Sequence, residues 1–307
     1  MIDNVRLKLP RNVGRDIPAR LENYRRSDMS TGTGNIGAMG VSHNLDGVTV
    51  RGSIAKFLNG ENVSPLSRAT VRAAVEKLET ELGVNLSGAV VHSVEFGTSV
   101  ILKEKPAEYL RLFGDPPVYG KHEYSKGGVL ETVLYGTPTG AYQFTAYDKG
   151  REAADRGQKV PELFRGRNVM RLEWRVQRRR GILARFGHDL TAYDLFDHDT
   201  YAKLRRFFLD AYEAIPKMGR TVYVDISKHV TPARLEELKA EAWRQSDTGG
   251  YNAFMQRLVM SGALSVKNLE RIRAKDRQLD RDFSRSDTNH LIAELDGHVR
   301  TAAMYGA

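Results

Sequence analysis

Residues Asn168–Val176 show the clearest alternation of apolar and polar side chains, a pattern with the period of a β-strand. One face is expected to lie on the core and carries Met170, Leu172, Trp174 and Val176. The opposite face carries Val169, Arg171, Glu173 and Arg175. An acid between two arginines is typical either of a solvated strand face or of the floor of a phosphate-binding site, and the pattern leaves both open.

Further strands are predicted by short runs rich in apolar and β-branched residues: Val5–Leu9, 46–51, Asn85–Leu102, Leu130–Tyr135 and Tyr142–Tyr147. The pentapeptide Gly-Thr-Pro-Thr-Gly at 136–140 separates the last two and is typical of a hairpin turn. Two polar segments are expected to be loops, Ser30–Gly40 and Gly150–Pro161.

Apolar residues at helical spacing predict helices at Ser67–Leu82, Tyr201–Ile215, Pro232–Arg244, Tyr251–Met260 and Val266–Phe283, with Thr231 and Ser265 as N-caps. Strands dominate up to about residue 195 and helices follow. We therefore expect an α+β fold with a sheet-bearing catalytic domain at 1–195 and a mainly helical domain with a DNA-binding or accessory role at 196–307.

The charge balance favours a polyanionic partner. The chain has 47 Lys and Arg against 38 Asp and Glu, a net charge of +9. It has no cysteine, which excludes disulfides, thiolate metal sites and a cysteine nucleophile. No apolar run is long enough to span a bilayer, and the first residues lack the apolar core of a signal peptide. We expect a cytoplasmic protein with nucleic acid as its leading partner and no membrane association.

Tyr147 is expected at the end of a strand, on the polar face shared with Gln143 and Thr145. Lys149 and Arg151 follow closely. A tyrosine there is commonly structural, but beside cations it can serve as a nucleophile toward phosphorus. Its phenol has an ordinary pKa of about 10, so nearby cations or a metal are needed to favour the phenolate.

Three acids are candidate ligands for a hard divalent cation: Glu95, Glu152 and Glu173. Carboxylate oxygens are the ligands that Mg²⁺ and Mn²⁺ prefer. Glu95 lies in an otherwise apolar strand, where an unpaired carboxylate would be costly. Pairing with Arg171 and Arg175 is the alternative explanation.

Arginines are concentrated between Arg165 and Arg185, where eight of them accompany a single acid. Arginine suits bidentate contact with phosphate. The candidate DNA-binding residues of this region are Arg171, Arg175, Arg178, Arg179 and Arg180.

Several nucleotide and hydrolase motifs are absent. The chain has no Gly-x-x-x-x-Gly-Lys-Ser/Thr loop, no Gly-x-Ser-x-Gly elbow and no His-Glu-x-x-His helix. Its eight histidines form no His-x-His pair, so the two-histidine metal motif of many nicking relaxases is missing.

The order of several short motifs resembles the filamentous-phage gene II/X-type replication initiators. The motifs are Met1-Ile2-Asp3 with Val5–Pro10, Gly52–Val63, the acid-bearing strand at Glu95, Glu131-Thr132-Val133, Thr145–Lys149 with Glu152, Arg171-Leu172-Glu173, and Phe186–Leu190 with Asp194–Asp197. The match covers residues 1 to about 200. The Tyr-x-Lys-x-x-Glu and Arg-x-Glu patterns are also similar to trans-acting initiators of rolling-circle plasmids.

This resemblance implies an antiparallel-sheet nicking domain of replication-initiator type. The implied activity is that of a site-specific single-strand DNA endonuclease and ligase, which forms a 5′-phosphotyrosine. The resemblance places the nucleophile at Tyr147 beside Lys149, and the Mg²⁺ or Mn²⁺ ligands at Glu95 and Glu173, with Glu152 as a weaker candidate. The implied partners are origin DNA, host helicase and polymerase, and a homo-oligomer is left open.

Two other functions stay open at this stage. The first is a non-catalytic origin-binding or copy-control protein, in which Tyr251–Met260 and the helix from Val266 would form a helix-turn-helix. The second is a phosphoryl-transfer or RNA-processing enzyme that uses the same acids without a covalent tyrosine. Tyr135 and Tyr142 are further tyrosines that would serve either as a second nucleophile or as part of the sheet.

Overall fold

The computed structural model describes residues 1–10, 17–27, 31–64, 66–116, 120–136, 140–217, 220–223, 240, 248–282, 284–287 and 290–305. Ten strands belong to the main sheet: β1 (Ile2–Leu9), β2 (Glu22–Arg26), β3 (Gly32–Ile36), β4 (Met39–Asn44), β5 (Gly47–Ser53), β6 (Val90–Leu102), β7 (Lys121–Lys126), β8 (Val129–Gly136), β9 (Tyr142–Asp148) and β10 (Asn168–Val176). Their order in the sheet is β2-β3-β4-β5-β1-β6-β10-β9-β8-β7, and every neighbouring pair is antiparallel. The short strands β11 (Arg220–Tyr223) and β12 (Ser284–Asp287) pair separately.

The helices of the described residues are α1 (Ile54–Asn59), α2 (Arg68–Leu82), α3 (Pro106–Leu110), α4 (Lys149–Asp155), α5 (Arg179–Phe186), α6 (His198–Glu213), α7 (Thr248–Met260), α8 (Val266–Asp282) and α9 (His290–Tyr305). Helix α2 shows how local sequence sets the bounds. The Ser67 hydroxyl accepts a hydrogen bond from the amide of Thr70, and Gly83 ends the helix at a φ of 68°. Among these helices, none combines the length and the apolar character needed to cross a bilayer.

The main hydrophobic core lies on one face of the sheet, under α2, α6 and α9. Phe96 of β6 packs edge-on against Tyr201 and contacts Phe208, both from α6. Leu295 and Val299 of α9 belong to the same buried cluster. Helices from beyond residue 195 thus cover the sheet that is formed before it, and the division into domains at 1–195 and 196–307 stays a prediction. A role of the helical half in DNA binding stays a prediction.

Most of the predicted elements are confirmed. The large antiparallel sheet, the β8–β9 hairpin, the alternation in β10 and the helices α2, α6, α7 and α8 are all present. Ser265 caps α8, since its hydroxyl accepts a hydrogen bond from the amide of Asn268. Helices α7 and α8 follow each other across a turn at 261–265, as a helix-turn-helix requires. The expected helix Pro232–Arg244 and its cap Thr231 lie outside the described residues, apart from residue 240.

The two expected loops are wrong. Residues Ser30–Gly40 contain β3 and the start of β4, and Gly150–Pro161 contains most of α4. The glycines in β3 allow close packing. A Cβ on Gly32 would lie 2.5 Å from the hydroxyl of Tyr24. Helix α4 begins where the Asp148 carboxylate accepts a hydrogen bond from the amide of Arg151 at 2.9 Å. Strands β2 and β7 have few apolar side chains and were not predicted. Helix α9 was missed although Ile292, Leu295 and Val299 recur at helical spacing.

Gly97 allows β6 and β10 to approach closely beside the polar face of the sheet. A Cβ at this position would overlap the carbonyl oxygen of Leu172 and lie 2.9 Å from the Cα of Glu173. The obstacles are backbone atoms, so no side-chain rotation relieves them. We expect Gly97→Ala to lower the free energy of unfolding by about 1–3 kcal/mol, measured by urea denaturation. Gly88→Ala is the control, since nothing lies within 4 Å of the place that its added methyl group would occupy. Equal stability of the two variants would contradict the prediction.

Candidate active site

The register of the central strands brings the predicted site residues onto the polar face of the sheet. Strand β10 lies between β6 and β9, with Arg175 paired opposite Glu95 and Arg171 paired opposite Tyr147. Side chains at paired positions point to the same face, about 5 Å apart. Glu173 lies between the two arginines in sequence and shares their face. Glu95, Glu173 and Tyr147 are thus close together although they are far apart in the chain.

Tyr147 contacts the buried charges directly. Its hydroxyl donates a hydrogen bond of 2.9 Å to Oε1 of Glu173. The same oxygen accepts a hydrogen bond of 3.1 Å from Nε of Arg171, and Nη2 of Arg175 donates to Oε2 at 2.8 Å. Both oxygens of this carboxylate are therefore engaged, which fixes its plane and the direction of the phenol hydroxyl.

Asp3 completes a triad of buried carboxylates that sequence reasoning missed. One oxygen each from Asp3, Glu95 and Glu173 lies within 4.8 Å of the others, and all three residues are buried. Asp3 is on β1, the neighbour of β6. A signal was present, because a charged residue in an apolar strand such as Met1-Ile2-Asp3 needs a compensating partner.

Side chains from the α1 region hold Asp3 in place. The Ser53 hydroxyl donates to Oδ1 of Asp3, and Nδ2 of Asn62 donates to Oδ2 at 2.9 Å. Nη2 of Arg171 donates to the same Oδ2 at 3.3 Å. Asn62 in turn accepts a hydrogen bond of 3.0 Å from Nζ of Lys149. The segment Gly52–Val63 thus supplies supports for the triad, a role that its sequence did not reveal.

Lys149 and Glu152 lie beside the triad rather than in it. Lys149 is only 1% exposed, and its Nζ lies 2.7 Å from Oε2 of Glu152 and 5.9 Å from the ring centre of Tyr147. The second oxygen of Glu152 forms an ion pair of 2.7 Å with Arg156. The geometry therefore gives Glu152 a structural partner in Lys149 and does not support it as a ligand of the ion that the triad would hold.

Burial and the uneven balance of charge shift the protonation of the site. Burial, reinforced by the negative charge of Glu173, raises the pKa of Glu95 from its ordinary value of 4.5 to about 8, against the opposing effect of Arg175. Burial alone would also raise the pKa of Glu173, but Arg171 and Arg175 hold it below its ordinary value. The surroundings of the site therefore favour ionisation of Glu173 and disfavour ionisation of Glu95.

The phenol of Tyr147 is protonated in this environment. Burial and the neighbouring Glu173 carboxylate raise the pKa of Tyr147 well above its ordinary value, and Arg171 offsets only part of that increase. Added positive charge among the carboxylates would remove the electrostatic part of the shift.

The residues present fit a divalent metal ion. Three buried carboxyl groups face two guanidiniums, and burial together with the charge of Glu173 raises the pKa of Glu95, an effect that an added cation would oppose. An oxygen-only donor set of this kind suits Mg²⁺ or Mn²⁺. Asp3, Glu95 and Glu173 could hold such an ion, and Glu152 as a ligand stays a prediction.

The predicted DNA-binding arginines fall into two groups. Arg171 is fully buried among Asp3, Glu173 and Ser99, so it offers no surface to a DNA phosphate in this structure, and contact of this residue with DNA stays a prediction. The side chain of Arg175 is 36% exposed and forms ion pairs with Glu95 at 2.5 Å and with Glu173. The remaining three are exposed at the start of α5, where one of them is paired with Asp189: Arg178, Arg179 and Arg180.

The other two candidate tyrosines are engaged elsewhere. Tyr142 lies on the opposite face of β9 from Tyr147, and its hydroxyl donates to the carbonyl of Gly181 at 2.8 Å. Tyr135 is 2% exposed and donates to the carbonyl of Gly114 at 2.9 Å. Both hydroxyls stabilise the sheet and its helices, and neither contacts the triad.

Comparisons with known proteins give only distant likeness, and that likeness is in structure. No family model matches the chain, and no curated protein matches it in sequence. Among solved structures, the chain is similar to a rolling circle replication initiator protein from Geobacillus stearothermophilus, with a TM-score of 0.39 and 10% sequence identity over 78% of this chain and 94% of that chain. The likeness is too distant for any residue to be carried over from it.

The raised pKa of Glu95 predicts a pH-dependent stability. Because the pKa of Glu95 is about 8 in the folded protein and 4.5 ordinarily, the folded state binds this proton more tightly than the unfolded chain. The contribution of Glu95 to the free energy of unfolding is therefore complete below pH 4.5 and is lost as the pH rises through 8. In EDTA, the free energy of unfolding should fall across this range. Glu95→Gln should make this decline shallower, as measured by urea denaturation at a series of pH values. Glu152→Gln is the matched control, and the idea fails if it flattens the profile as much.

The triad also predicts stabilisation by a divalent cation. A hundredfold excess of Mn²⁺ over its Kd should stabilise the wild-type protein by about 2.7 kcal/mol, because the ion binds the folded state alone. The measurement is the shift in Tm between EDTA and Mn²⁺. Asp3→Asn and Glu95→Gln should each reduce that shift strongly, while Glu152→Gln should preserve it. A shift that depends on Glu152 and not on Asp3 would place the ion elsewhere.

Proposed function

We propose that this protein is a rolling-circle replication initiator, a metal-dependent enzyme that nicks and rejoins one DNA strand through Tyr147. The observation that carries the proposal is the hydrogen bond from the Tyr147 hydroxyl to Glu173, a member of a buried carboxylate triad. A tyrosine hydroxyl beside a hard-cation site is the arrangement that attack on a phosphodiester requires. The order of motifs along residues 1–200 points to the same class.

The chemistry conserves bond energy. The phenolic oxygen of Tyr147 attacks phosphorus, the bond from phosphorus to the 3′-oxygen breaks, and the departing oxygen takes a proton to become a free 3′-OH. The DNA 5′ end is then held as a phosphotyrosine. Because one phosphodiester replaces another, attack by a 3′-OH reverses the step and rejoins the strand without ATP. This agrees with the absence of a nucleotide-binding loop from the sequence.

Each side chain of the site has a part in the proposed reaction. A divalent ion held by the triad would neutralise the non-bridging oxygens of the scissile phosphate. Glu173 orients the phenol and lies in position to receive its proton. Arg171 is a buried cation that forms ion pairs with both Asp3 and Glu173, and it thereby offsets the repulsion between these two carboxylates. Lys149 is a positioning residue, because it reaches the triad through Asn62.

The proposed function also implies binding partners. The substrate is a single-stranded or melted nick site at a replication origin, and the exposed arginines at the start of α5 are proposed to contact flanking phosphates. The free 3′-OH is the primer that a host polymerase extends, and a host helicase would open the duplex ahead of it.

The test is a search for the covalent intermediate. The protein is incubated with Mn²⁺ and a random library of single-stranded oligonucleotides carrying biotin at the 3′ end, then denatured and captured on streptavidin. Wild-type protein should remain attached to DNA, and sequencing of the attached strands should reveal a shared 5′ sequence. Tyr147→Phe should abolish the adduct, because phenylalanine has no nucleophilic oxygen.

Tyr142→Phe is the matched control, since it removes the same hydroxyl from the other face of the same strand. It should retain the adduct. An adduct that survives in Tyr147→Phe would move the nucleophile to another residue. Metal-dependent cleavage without any adduct would favour an enzyme that uses water, and sequence-specific binding without cleavage would favour the non-catalytic origin-binding protein.

A further inference from the structure

The half of the sheet formed by β1 to β5 has a polar outer face. Along these strands buried apolar residues alternate with polar ones, as expected for a sheet with one face on the core. The outer face carries ten residues from the five strands: Arg6, Lys8, Glu22, Arg25, Thr33, Asn35, Gly40, Ser42, Thr49 and Arg51. None of them has an apolar side chain.

Strand register arranges these residues in two parallel rows across the sheet. In the first row Arg6 pairs with Arg51, Arg51 with Gly40, and Gly40 with Asn35. The second row is formed by Lys8, Thr49, Ser42, Thr33 and Arg25, each paired with the next. The first row ends on β2 with Glu22, which pairs with Asn35. Cationic side chains thus lie on β1 and β5 at one end of the surface and on β2 at the other, separated by hydroxyl and amide groups.

The surface is concave and carries excess positive charge. A groove of about 380 Å³ follows it, lined among others by Arg25, Arg51, Asn35 and Ser42. Gly40 forms part of its floor, and its lack of a side chain keeps the groove open. Four cations face a single acid, Glu22, and among the described residues no ion pair joins any of the four to a carboxylate.

The side-chain composition of this surface favours one kind of ligand. Guanidinium, hydroxyl and amide groups are the side chains that contact the DNA phosphate backbone. Single-stranded DNA is typically held by aromatic side chains on which bases stack, and none of the ten residues is aromatic. The charge and the missing stacking platform together favour the backbone of a duplex.

The same face leads to the carboxylate triad. Arg6 pairs with Ser93 of β6, two residues before Glu95, and Asp3 lies on the same strand as Arg6. From β2 to β9 there are seven strand spacings in the sheet order, roughly 34 Å at about 4.8 Å each. That span corresponds to about one turn, or ten base pairs, of B-DNA.

We propose that the outer face of β1–β5 binds the phosphate backbone of duplex DNA within about one helical turn of the nick site. This inference rests on the proposed function, because it names the duplex part of the substrate that the triad and Tyr147 would cleave. The face anchors the duplex, and the strand to be cut passes on to the triad.

The test compares two double variants that remove equal charge. Arg25→Gln with Arg51→Gln alters the groove, while Lys203→Gln with Arg206→Gln alters exposed positions on α6, which packs on the opposite side of the sheet. Binding of a fluorescent 20-base-pair duplex and of a single strand of equal length is measured by anisotropy at several salt concentrations. Circular dichroism melting checks that both variants are folded.

The groove variant should bind the duplex at least about tenfold more weakly at 0.1 M salt, with the slope of log K against log salt reduced by about 2. Its affinity for the single strand should change much less, and the α6 variant should bind the duplex like wild type. Equal losses in both variants, or a loss confined to the single strand, would overturn the proposal.

Failure of the proposed nicking function and failure of the duplex-binding site would give different results in these assays. The adduct on single-stranded oligonucleotides does not need the duplex-binding face, so the groove variant should form it at the wild-type level. If wild-type protein forms no adduct but the groove variant still loses duplex affinity selectively, the nicking activity is refuted and the duplex site stands. If the adduct forms and duplex affinity is unchanged, the duplex site is refuted alone.

Discussion

The arrangement of the whole site depends on the burial of three carboxylates against two guanidiniums. Asp3, Glu95 and Glu173 are buried on one face of the sheet, and Arg171 lies among them with no exposed surface. Charges in such a position are costly unless each has partners of opposite sign and good hydrogen-bond geometry. Every supporting contact found around the triad, from Ser53, Asn62 and Arg175, meets part of that requirement. The cluster therefore constrains at least five separate segments of the chain.

The sheet separates this charged face from the hydrophobic core by the thickness of its own backbone. Trp174 packs among aromatic side chains on the core face, and its neighbours in sequence, Glu173 and Arg175, project to the other side. Ten antiparallel strands give that second face enough width for the carboxylate triad and Tyr147 at β1, β6, β10 and β9 and for a basic surface at β1 to β5. A parallel sheet covered by helices on both faces would leave no such room.

Much of the fold was predictable because strand alternation and helix caps are local properties. The faces of β9 and β10 were predicted correctly, and with them the joint position of Tyr147, Glu173 and Arg171. Asp3 was missed because its partners are 92 and 170 residues away, a pairing that only the strand order creates. The burial of Arg171 could not be predicted for a related reason, since burial depends on which side chains pack over a residue. The glycines of β3 led to the expectation of a loop. Gly32 and Gly34 instead make room for Tyr24, which lies on β2, and for Leu21, which precedes β2.

The charges of the site shift the pKa values of Tyr147 and Glu95, and these pKa values bear on what Tyr147 can do chemically. A tyrosine in contact with an ionised carboxylate is a poor nucleophile, because the same negative charge that fixes the hydroxyl also raises its pKa. Burial and the charge of Glu173 also raise the pKa of Glu95. One further cation among the carboxylates would lower the pKa values of both Glu95 and Tyr147, since the charge of Glu173 adds to the effect of burial at each of them. Under the proposed function, a divalent ion held by the triad would therefore favour the phenolate of Tyr147.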